Sequence, residues 1–404
     1  MRIPFINGRP TATPEETKAS ATAGLIAFQT HGAPAWTPRD YAALAREGYA
    51  KNAIVYRCVR MIAEAAASAP WLLYDGAAEL DDHPLLALLA RPNRRQAGRD
   101  FRETLFGHLL VSGNAYVEAV VAGPDGFGDA GGAPRELHAL RPDRMKVVPG
   151  PDGWPVAFEY TVGGRTVRFN DPGEGRLSPV LHMAQFHPLN DHYGFAPIEA
   201  AAVALDIHNA AGAWNKALLD NAARPSGALV YRTREGGNLS ADQYERLKAE
   251  LETGFSGARN AGRPLLLEGG LDWKALSLTP KDMDFLAAKN GAAREIALAF
   301  GVPPMLLGIP GDNTYANYRQ ANLAFWRQTV LPLCGRLAEA LTAWLAPAYG
   351  DGLRLWFDAD QIEALASERE ALWGRVAAAD FLTVNEKRAA VGYGPVEDGE
   401  GMGR

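Results

Sequence analysis

The sequence predicts an α+β fold divided into several domains, and three observations lead to that prediction. A chain of 404 residues is longer than one compact core usually holds. Segments with helical spacing of apolar residues flank a stretch from Asn114 to Gln185 that consists of short strands and turns rich in Gly, Pro and Asp. Hydrophobic residues make up 47% of the chain and charged residues 22%, so a core can form and wholesale disorder is excluded.

Composition and charge exclude several classes of protein. The two cysteines, Cys58 and Cys334, lie far apart, which excludes a disulfide scaffold and a cysteine zinc module and favours a reducing compartment. The formal net charge of −6 argues against a protein that grips nucleic acid through a basic surface. No apolar run reaches the roughly 18 residues of a membrane span, and no signal-peptide pattern opens the chain. We therefore expect an intracellular protein without a membrane segment.

The first half of the chain begins with residues 1–35, which are rich in Thr, Ala, Pro and Gly and predict a mobile arm or, alternatively, a docking segment. Helical spacing follows from 52 to 70, and WLLY (71–74) predicts a buried strand. The apolar face of that helix is predicted to contain Ile54, Cys58, Met61, Ile62 and Ala65. Helices are predicted at 84–90 and 101–112, and strands at 115–121, 136–140, 145–150, 156–162 and 165–170.

The second half is predominantly helical. An Ala-rich helix is predicted from about Pro197 to Asn221, with Gly212 inside it. A small α/β unit follows, whose helix carries a capping pattern at Ser240 and Gln243. Its strands are predicted at 227–232, 264–268 and 271–278. A second helix starts near Thr279, has a stripe of Phe285, Ala292, Ile296 and Phe300, and ends at Gly301. A third helix spans about 315–345 with a kink at Pro332. A helix near 361–379 and a short one opened by Thr383 and Glu386 follow.

The sequence contains no recognisable catalytic motif. The patterns GxxxxGK[ST], HExxH and GxSxG are all missing, and the EF-hand pattern fails after Asp360. His182, His187 and His192 recur every five residues, but that spacing suits neither one face of a strand nor one face of a helix. We therefore predict no catalytic residue, no metal and no cofactor. A structural or conduit role is the expectation that remains.

Four local strings, in this order, resemble the portal proteins of tailed bacteriophages. They are YGFAPIEAA (193–201), GRPLLLEGGLDWKALSLTPKDMDFL (262–286), GVPPMLLG (301–308) and LTVNEKRAAVGYGPVEDG (382–399). Ala196 stands where that family usually has serine. Gene-transfer particles use the same component, and the sequence does not separate them from a phage.

The resemblance implies a ring of about twelve copies at one vertex of a virion or phage-like particle, assembled in the bacterial host cytoplasm. The expected partners are other copies of the chain, double-stranded DNA in the channel, the terminase large subunit, a head–tail adaptor and the major capsid protein. The ring itself would hydrolyse nothing. An acidic subunit suits this role, since strong phosphate binding would stall the DNA.

The resemblance also divides the chain into the parts of a portal-like fold. The implied parts are a flexible arm (1–35), a mixed α+β wing (36–195), a first stem helix (196–224), a small α/β clip (225–280), a second stem helix (281–300), a tunnel-loop region (301–317), a long kinked wing helix (318–350) and a small helical crown (351–404).

Three sets of site residues follow from these parts. The tunnel loop, which would face DNA, contains Pro310, Gly311, Asp312, Asn313 and Thr314, although an ordinary solvent loop would have the same composition. Arg259 and Arg263 are implied contacts between the clip and its partners. Gly212 would allow close packing of stem helices, unless it lies on an exposed face. A minor capsid or adaptor protein, or a hydrolase with an unrecognised motif, stays open as an alternative.

Overall fold

The computed structural model divides the chain into two units, Met1–Trp36 and Thr37–Arg404, and the elements below belong to the second. The structure describes residues 36–396 with gaps at 39, 77, 122–131, 221–226, 232–239, 276–284, 312–314 and 395, and between 241 and 270 only 242, 243, 245, 246 and 249. None of the helices in these described ranges is long and apolar enough to cross a bilayer.

The described helices are, in chain order, α1 (Tyr41–Ala43, continued by a π-helical segment, Leu44–Ala50), α2 (Ala53–Ser68), α3 (Pro84–Ala90), α4 (Gly98–Ser112), α5 (Pro197–Ala200), α6 (Ala202–Asp220), α7 (Phe285–Ala299), α8 (Tyr315–Phe325), α9 (Leu331–Tyr349), α10 (Ala366–Ala377) and α11 (Val384–Ala390). A π-helical segment, Trp326–Val330, joins α8 to α9 directly before Pro332. The third helix, predicted to kink at Pro332, contains this π-helical segment just before that proline and continues to Tyr349.

The described strands are β1 (Trp71–Asp75), β2 (Ala78–Glu79), β3 (Asn114–Val121), β4 (Pro134–Leu140), β5 (Met145–Pro149), β6 (Pro155–Val162), β7 (Arg165–Asn170), β8 (Val180–Ala184), β9 (Gly227–Tyr231), β10 (Leu271–Ala275) and β11 (Leu353–Phe357). They pair antiparallel in the orders β11-β1-β2, β4-β3-β8, β5-β6-β7 and β10-β9. The α+β class is thereby confirmed.

A large apolar core joins α2, α4, α7 and α9 to one face of β1 and β3. A smaller core lies on the other face of β3, where Tyr116 packs with Val147 of β5 and Phe158 of β6. Strand β3 is thus buried on both faces over most of its length. It forms the central wall between the helical part and the β5-β6-β7 sheet.

Two predictions about β1 and α2 are corrected by the structure. Strand WLLY is not buried throughout: only Leu73 is, while Trp71 lies under the guanidinium of Arg102 and Tyr74 under that of Arg354. The buried face of α2 shares only Cys58 and Ile62 with the predicted stripe. Its full set is Val55, Cys58, Val59, Ile62, Ala63, Ala66 and Ala67.

Beyond the two-residue strand β2, two further strands were not predicted. Strand β8 contains His and Met, which are weak strand signals, and is held by pairing with β3. Strand β11 lies in the segment predicted to be helical, yet it pairs with β1 so that Trp71 faces Phe357. Such a non-local pairing has no signature in the local sequence. Residues 353–357 therefore belong to the sheet that follows α2.

Candidate channel and assembly surfaces

Gly113 and Gly194 contact each other beside the β4-β3-β8 sheet, just before the chain enters α5. Gly113 ends α4 with φ of 72°, a left-handed conformation that favours glycine. A Cβ on Gly113 would lie 2.5 Å from the carbonyl oxygen of Gly194, and a Cβ on Gly194 would overlap the carbonyl oxygen of Gly113. The glycine in the string YGFAP is thus required by a close approach of two backbones.

The side chain of Asn114 closes the same contact. Its Oδ1 accepts hydrogen bonds from the backbone N–H of Gly194 (2.8 Å) and from Nε2 of His182 (3.0 Å), and its Nδ2 donates to the carbonyl of Ser112 (2.7 Å). Tyr193 adds a further link, since its hydroxyl accepts from the backbone N–H of Val147 at 3.0 Å. We call Gly113, Asn114, His182, Tyr193 and Gly194 the junction.

A buried polar network anchors the middle of α6 on the start of α2. Asn52 caps α2 by accepting from the N–H groups of its first turn, and its Nδ2 donates to Oδ1 of Asn209 at 2.9 Å. The same Nδ2 lies 3.0 Å from Nδ1 of His208. Nearby, Gly48 of the π-helical segment lets α5 approach that segment closely, because a Cβ there would overlap the side chain of Ile198. The contacts of Asn52 with His208 and Asn209 fix the position of α6 relative to α2.

Helices α6 and α7 pack against each other and each has apolar residues on two sides. Leu205 of α6 and Ile296 of α7 are fully buried in the large core. On the outer side, Val203 and Ile207 of α6 are 48% and 43% exposed, one helical turn apart. Leu286 and Leu298 of α7 are 71% and 79% exposed. Helices with apolar residues on both sides normally have neighbours on both.

Gly212 lies away from this outer stripe. Nine residues separate it from Val203, which puts the two on opposite sides of α6 at 3.6 residues per turn. No atom of the described residues comes within 4 Å of a Cβ placed on Gly212. Among the described residues of one chain, then, no helix crosses closely at this glycine.

Arg294, an arginine that the sequence analysis did not single out, hydrogen-bonds to the first residue of the predicted tunnel loop. Arg294 of α7 donates a short hydrogen bond to the carbonyl of Pro310, and its guanidinium lies beside Gly311. Asp312, Asn313 and Thr314 lie outside the described residues. The preceding string GVPP forms a turn in which Gly301 has φ of 68° and Val302 is buried. The loop itself contains no base, but a guanidinium borders it.

The structure describes the predicted clip (225–280) only in part. Strands β9 and β10 pair antiparallel, and Ser240 and Gln243 exchange the two hydrogen bonds of the predicted capping box. Arg259, Arg263 and the predicted strand at 264–268 lie outside the described residues. Their assignment to partner contacts stays a prediction.

Four polar residues of the string TVNEKR have a defined local role. Thr383 and Glu386 cap α11 reciprocally. Asn385 exchanges two hydrogen bonds with the backbone of Val396, at 2.9 and 3.1 Å. Arg388 donates from Nε to the carbonyl six residues later at 2.7 Å. The string therefore specifies a compact turn around α11.

Burial, not metal binding, dominates the titratable groups of the core. Burial lowers the pKa of His182 to about 4, with a smaller contribution from His192, and its ring stacks on Tyr116 with centroids 4.3 Å apart. Burial raises the pKa of the thiols of Cys58 and Cys334 to about 12, so neither is a ready nucleophile. Over the part of the chain that the structure describes, no group of three His, Cys, Asp or Glu side chains is placed to hold a metal ion.

The comparison with known protein families decides the identity. The family model "Phage portal protein" matches residues 53–392, most of the chain. The chain belongs to the phage portal protein family. A protein of Rickettsia bellii (strain RML369-C) is 43% identical over 358 residues, which covers 88% of this chain and 90% of the relative.

Two solved structures are similar to this portal family member over nearly their whole length. A chain from the neck of an empty gene transfer agent (GTA) particle, computed with C6 symmetry, is 55% identical with a TM-score of 0.70. A chain from the neck of a native GTA particle, computed with C12 symmetry, is 54% identical with a TM-score of 0.67. Each comparison covers 90% of this chain and 96% of the solved one. The portal-like fold predicted from the four strings is therefore confirmed.

Sequence reasoning missed several residues that organise these surfaces. The stripe of Val203 and Ile207 could have been found, because both are apolar at helical spacing outside the stripe that contains Leu205. Arg294 and Asn114 could not, because their partners lie 16 and 80 residues away in the sequence.

Proposed function

We propose that the protein forms the portal ring at one vertex of a phage-like particle, where its central channel admits DNA during packaging and releases it afterwards. The observation that supports this most strongly is the similarity to the GTA neck chains, which extends over 96% of their length at 54–55% identity. A gene transfer agent is the favoured type of particle, because these identities are high.

The outer stripes of α6 and α7 are the surfaces that would join the subunits. A cyclic ring needs two different surfaces on each copy, one facing each neighbour. The exposed side chains of Val203 and Ile207 on α6, and of Leu286 and Leu298 on α7, supply apolar area on two neighbouring helices. Burying it between copies is favourable by about 25 cal/mol per Å² of apolar surface.

The portal-like fold suggests which elements form the wing, the crown and the clip. In this proposal the elements before α5, together with α8, α9 and β11, form the wing, and the crown begins after Phe357, because β11 pairs with β1. The clip around β9 and β10 would contact the terminase large subunit during packaging and an adaptor afterwards. The wing would contact the major capsid protein.

The channel is proposed to be a passive conduit and not a catalyst. Formal charge per subunit is −6, so the ring as a whole repels the DNA phosphates. The tunnel loop would lie closest to DNA, with Arg294 beside its first residues. One exposed guanidinium per subunit adds only weak, sequence-independent attraction for phosphate.

Copy number and position in purified particles test the proposal. Quantitative mass spectrometry should find about twelve copies per particle, the number expected of one cyclic ring. Labelling in the electron microscope should mark a single vertex, and deletion of the gene should leave particles without DNA. Copies spread over the shell would indicate a minor capsid protein, and absence from particles that still fill with DNA would contradict the proposal.

A further inference from the structure

The segment that joins α7 to α8 is tied to the body of the chain near both ends of its described part, residues 301–311. At its start, the hydroxyl of Thr329 donates to the carbonyl of Gly301 at 2.6 Å. Near its end, Ile309 is 5% exposed and packs in a small apolar core on α7. The backbone N–H of Ile309 also donates to the carbonyl of Pro304 at 3.2 Å. This part of the segment is therefore fixed to α7 and to the π-helical segment that contains Thr329.

The last described residues of the segment are held by Arg294 of α7. Its guanidinium donates a short hydrogen bond to the carbonyl of Pro310 and lies beside Gly311. We call this contact the Arg294 latch. The acceptor is a neutral carbonyl, whereas a guanidinium carries a full positive charge and five N–H donors. The latch therefore uses only part of the hydrogen-bonding capacity of Arg294 and does not neutralise its charge.

Arg294 differs from Ile309 and Thr329 in its accessibility. Ile309 is buried and Thr329 is half-buried, whereas Arg294 is exposed. Arg294 also lies one helical turn before Leu298, which belongs to the outer stripe of α7. In the ring proposed above, the latch would thus lie where the contact between subunits meets the tunnel loop and the channel.

A DNA phosphate is a better partner for this guanidinium than the carbonyl of Pro310. Phosphate and guanidinium carry opposite charges, and the planar guanidinium can bind two phosphate oxygens at once. The carbonyl offers one neutral oxygen. A phosphate that comes within reach of Arg294 can therefore compete with Pro310. Because the phosphate gains Arg294 only when the latch opens, the resulting hold on DNA is weaker than that of an arginine without such a partner.

We propose that Arg294 exchanges between the carbonyl of Pro310 and a phosphate of the DNA in the channel, so that DNA releases the first residues of the tunnel loop. The proposal rests on the ring and the channel proposed above. It makes Arg294 a phosphate contact of the channel and also the residue that positions the tunnel loop in the empty ring. A loop that is released only while a phosphate occupies Arg294 would let the duplex slide without a permanent tight contact.

Hydrogen exchange in purified wild-type rings, counted by electron microscopy, tests the latch. The probe is a DNA duplex of about 30 base pairs, which is about 100 Å long. Without DNA, the amides of Ile309 and Gly311 should exchange slowly. A saturating amount of the duplex should accelerate them by roughly two- to tenfold, the net worth of one hydrogen bond. In Arg294→Met rings, both amides should exchange fast with or without the duplex. Arg327→Met is the matched control and should behave like the wild type, because Arg327 is also exposed but pairs with Glu368 at 3.0 Å.

The salt dependence of duplex binding tests the phosphate contact. Each phosphate neutralised by a base steepens the fall of the logarithm of the binding constant with the logarithm of the salt concentration. Arg294→Met should therefore reduce this slope by at least about 1. Arg294→Lys, which keeps the charge, should retain the slope, and so should Arg327→Met.

Three results would each overturn the exchange while the ring proposal stands. They are amides that the duplex does not accelerate, a duplex that does not bind, and a salt slope that Arg294→Met leaves unchanged. A wild-type chain that forms no rings would overturn both proposals, and the microscope shows which case applies. If Arg294→Met does not assemble, the comparison of wild-type rings with and without the duplex decides by itself, because it needs no variant.

Discussion

The junction and the C-terminal helices differ in where their contacts come from. At the junction, Gly113, Asn114 and Gly194 satisfy their backbone and side-chain groups within one chain, at hydrogen-bond distances of 2.7 to 3.0 Å. Helices α10 and α11 bury no residue of their own. The comparison indicates that the junction is stabilised by contacts within one chain, whereas the C-terminal helices have apolar surface that only contacts between copies would bury.

Helix α6 shows the same contrast within one element. Its inner side carries Leu205 in the core and Asn209 in the network around Asn52. Its outer side exposes Val203 and Ile207. Substitutions of Leu205 or Asn209 should therefore change the stability of the single chain, while those of Val203 or Ile207 should change only assembly.

The largest effect on the single chain is expected for Gly194→Ala. The new Cβ would overlap the carbonyl oxygen of Gly113 and press on the N–H of Gln185, and backbone atoms cannot move aside cheaply. We expect a loss of at least about 3 kcal/mol in the free energy of unfolding, measured by urea denaturation of the unassembled chain. Gly107→Ala is the control: no atom of the described part of the chain lies within 4 Å of a Cβ there, so this helix substitution should stabilise the chain by up to about 1 kcal/mol. Equal behaviour of the two variants would refute the close approach.

Mild acid should lower the stability of the single chain through two buried histidines, His108 and His182. Burial holds the pKa of His182 and of His108 at about 4, below the ordinary 6.5. Above pH 6.5 the two imidazoles are unprotonated in both the folded and the unfolded chain. As the pH falls from 6.5 towards 4, they bind protons only in the unfolded chain, so the free energy of unfolding decreases. Each ring removes up to about 3 kcal/mol over that window.

The check is the thermal midpoint of the unassembled chain at pH 7.5, 6.5 and 5. The wild-type midpoint should be flat above pH 6.5 and fall below it. The variant with His108→Gln and His182→Gln should have a smaller slope. A wild-type midpoint that does not change down to pH 5 would show that these rings are not held neutral.

A smaller loss is expected for Asn52→Ala. The substitution removes the cap of α2 and the donor to Asn209, so about 2 kcal/mol should be lost. Hydrogen exchange should accelerate in the first turn of α2 and in α6, with little change in β5 to β7. Uniform acceleration in all elements would mean that Asn52 does not specifically connect α2 to α6.

The smallest effect on the single chain is expected for Gly212→Leu. No atom of the described residues lies within 4 Å of a Cβ at this site, so leucine should be accommodated and should even favour the helix slightly. If a neighbouring helix crosses there in the ring, as predicted from the sequence, overpacking of about 1–3 kcal/mol per subunit should block or distort ring closure. Ala213→Leu, on another side of α6, is the matched control. Normal rings from Gly212→Leu would place the crossing elsewhere.

The sequence predicted local features well and distant ones poorly. Helix ends marked by Gly301, the cap formed by Thr383 and Glu386, and the buried stripe of Ile296 and Ala292 follow from rules that act within a few residues, and the structure confirms them. Such rules are short-ranged because backbone geometry and helical period are local.

Features that depend on distant partners were missed. Strand β11 exists because Phe357 pairs opposite Trp71, and the junction exists because Gly194 meets Gly113. The guanidinium beside the predicted tunnel loop belongs to Arg294 of α7. None of these has a signature in its own stretch of sequence, since only the folded chain brings the partners together.

The most direct test of the central claim, that neighbouring copies cover the outer stripes of α6 and α7, is the native mass of the wild type beside Ile207→Asp. The wild type should form rings near 520 kDa, twelve times the 43.5 kDa of one chain, with twelvefold symmetry in top views. Ile207→Asp should stay at the mass of one chain with an unchanged melting temperature, while Ile207→Leu should assemble normally. Wild-type protein that remains at 43.5 kDa even in particle-producing lysates, or Ile207→Asp rings as stable as those of the wild type, would contradict the account.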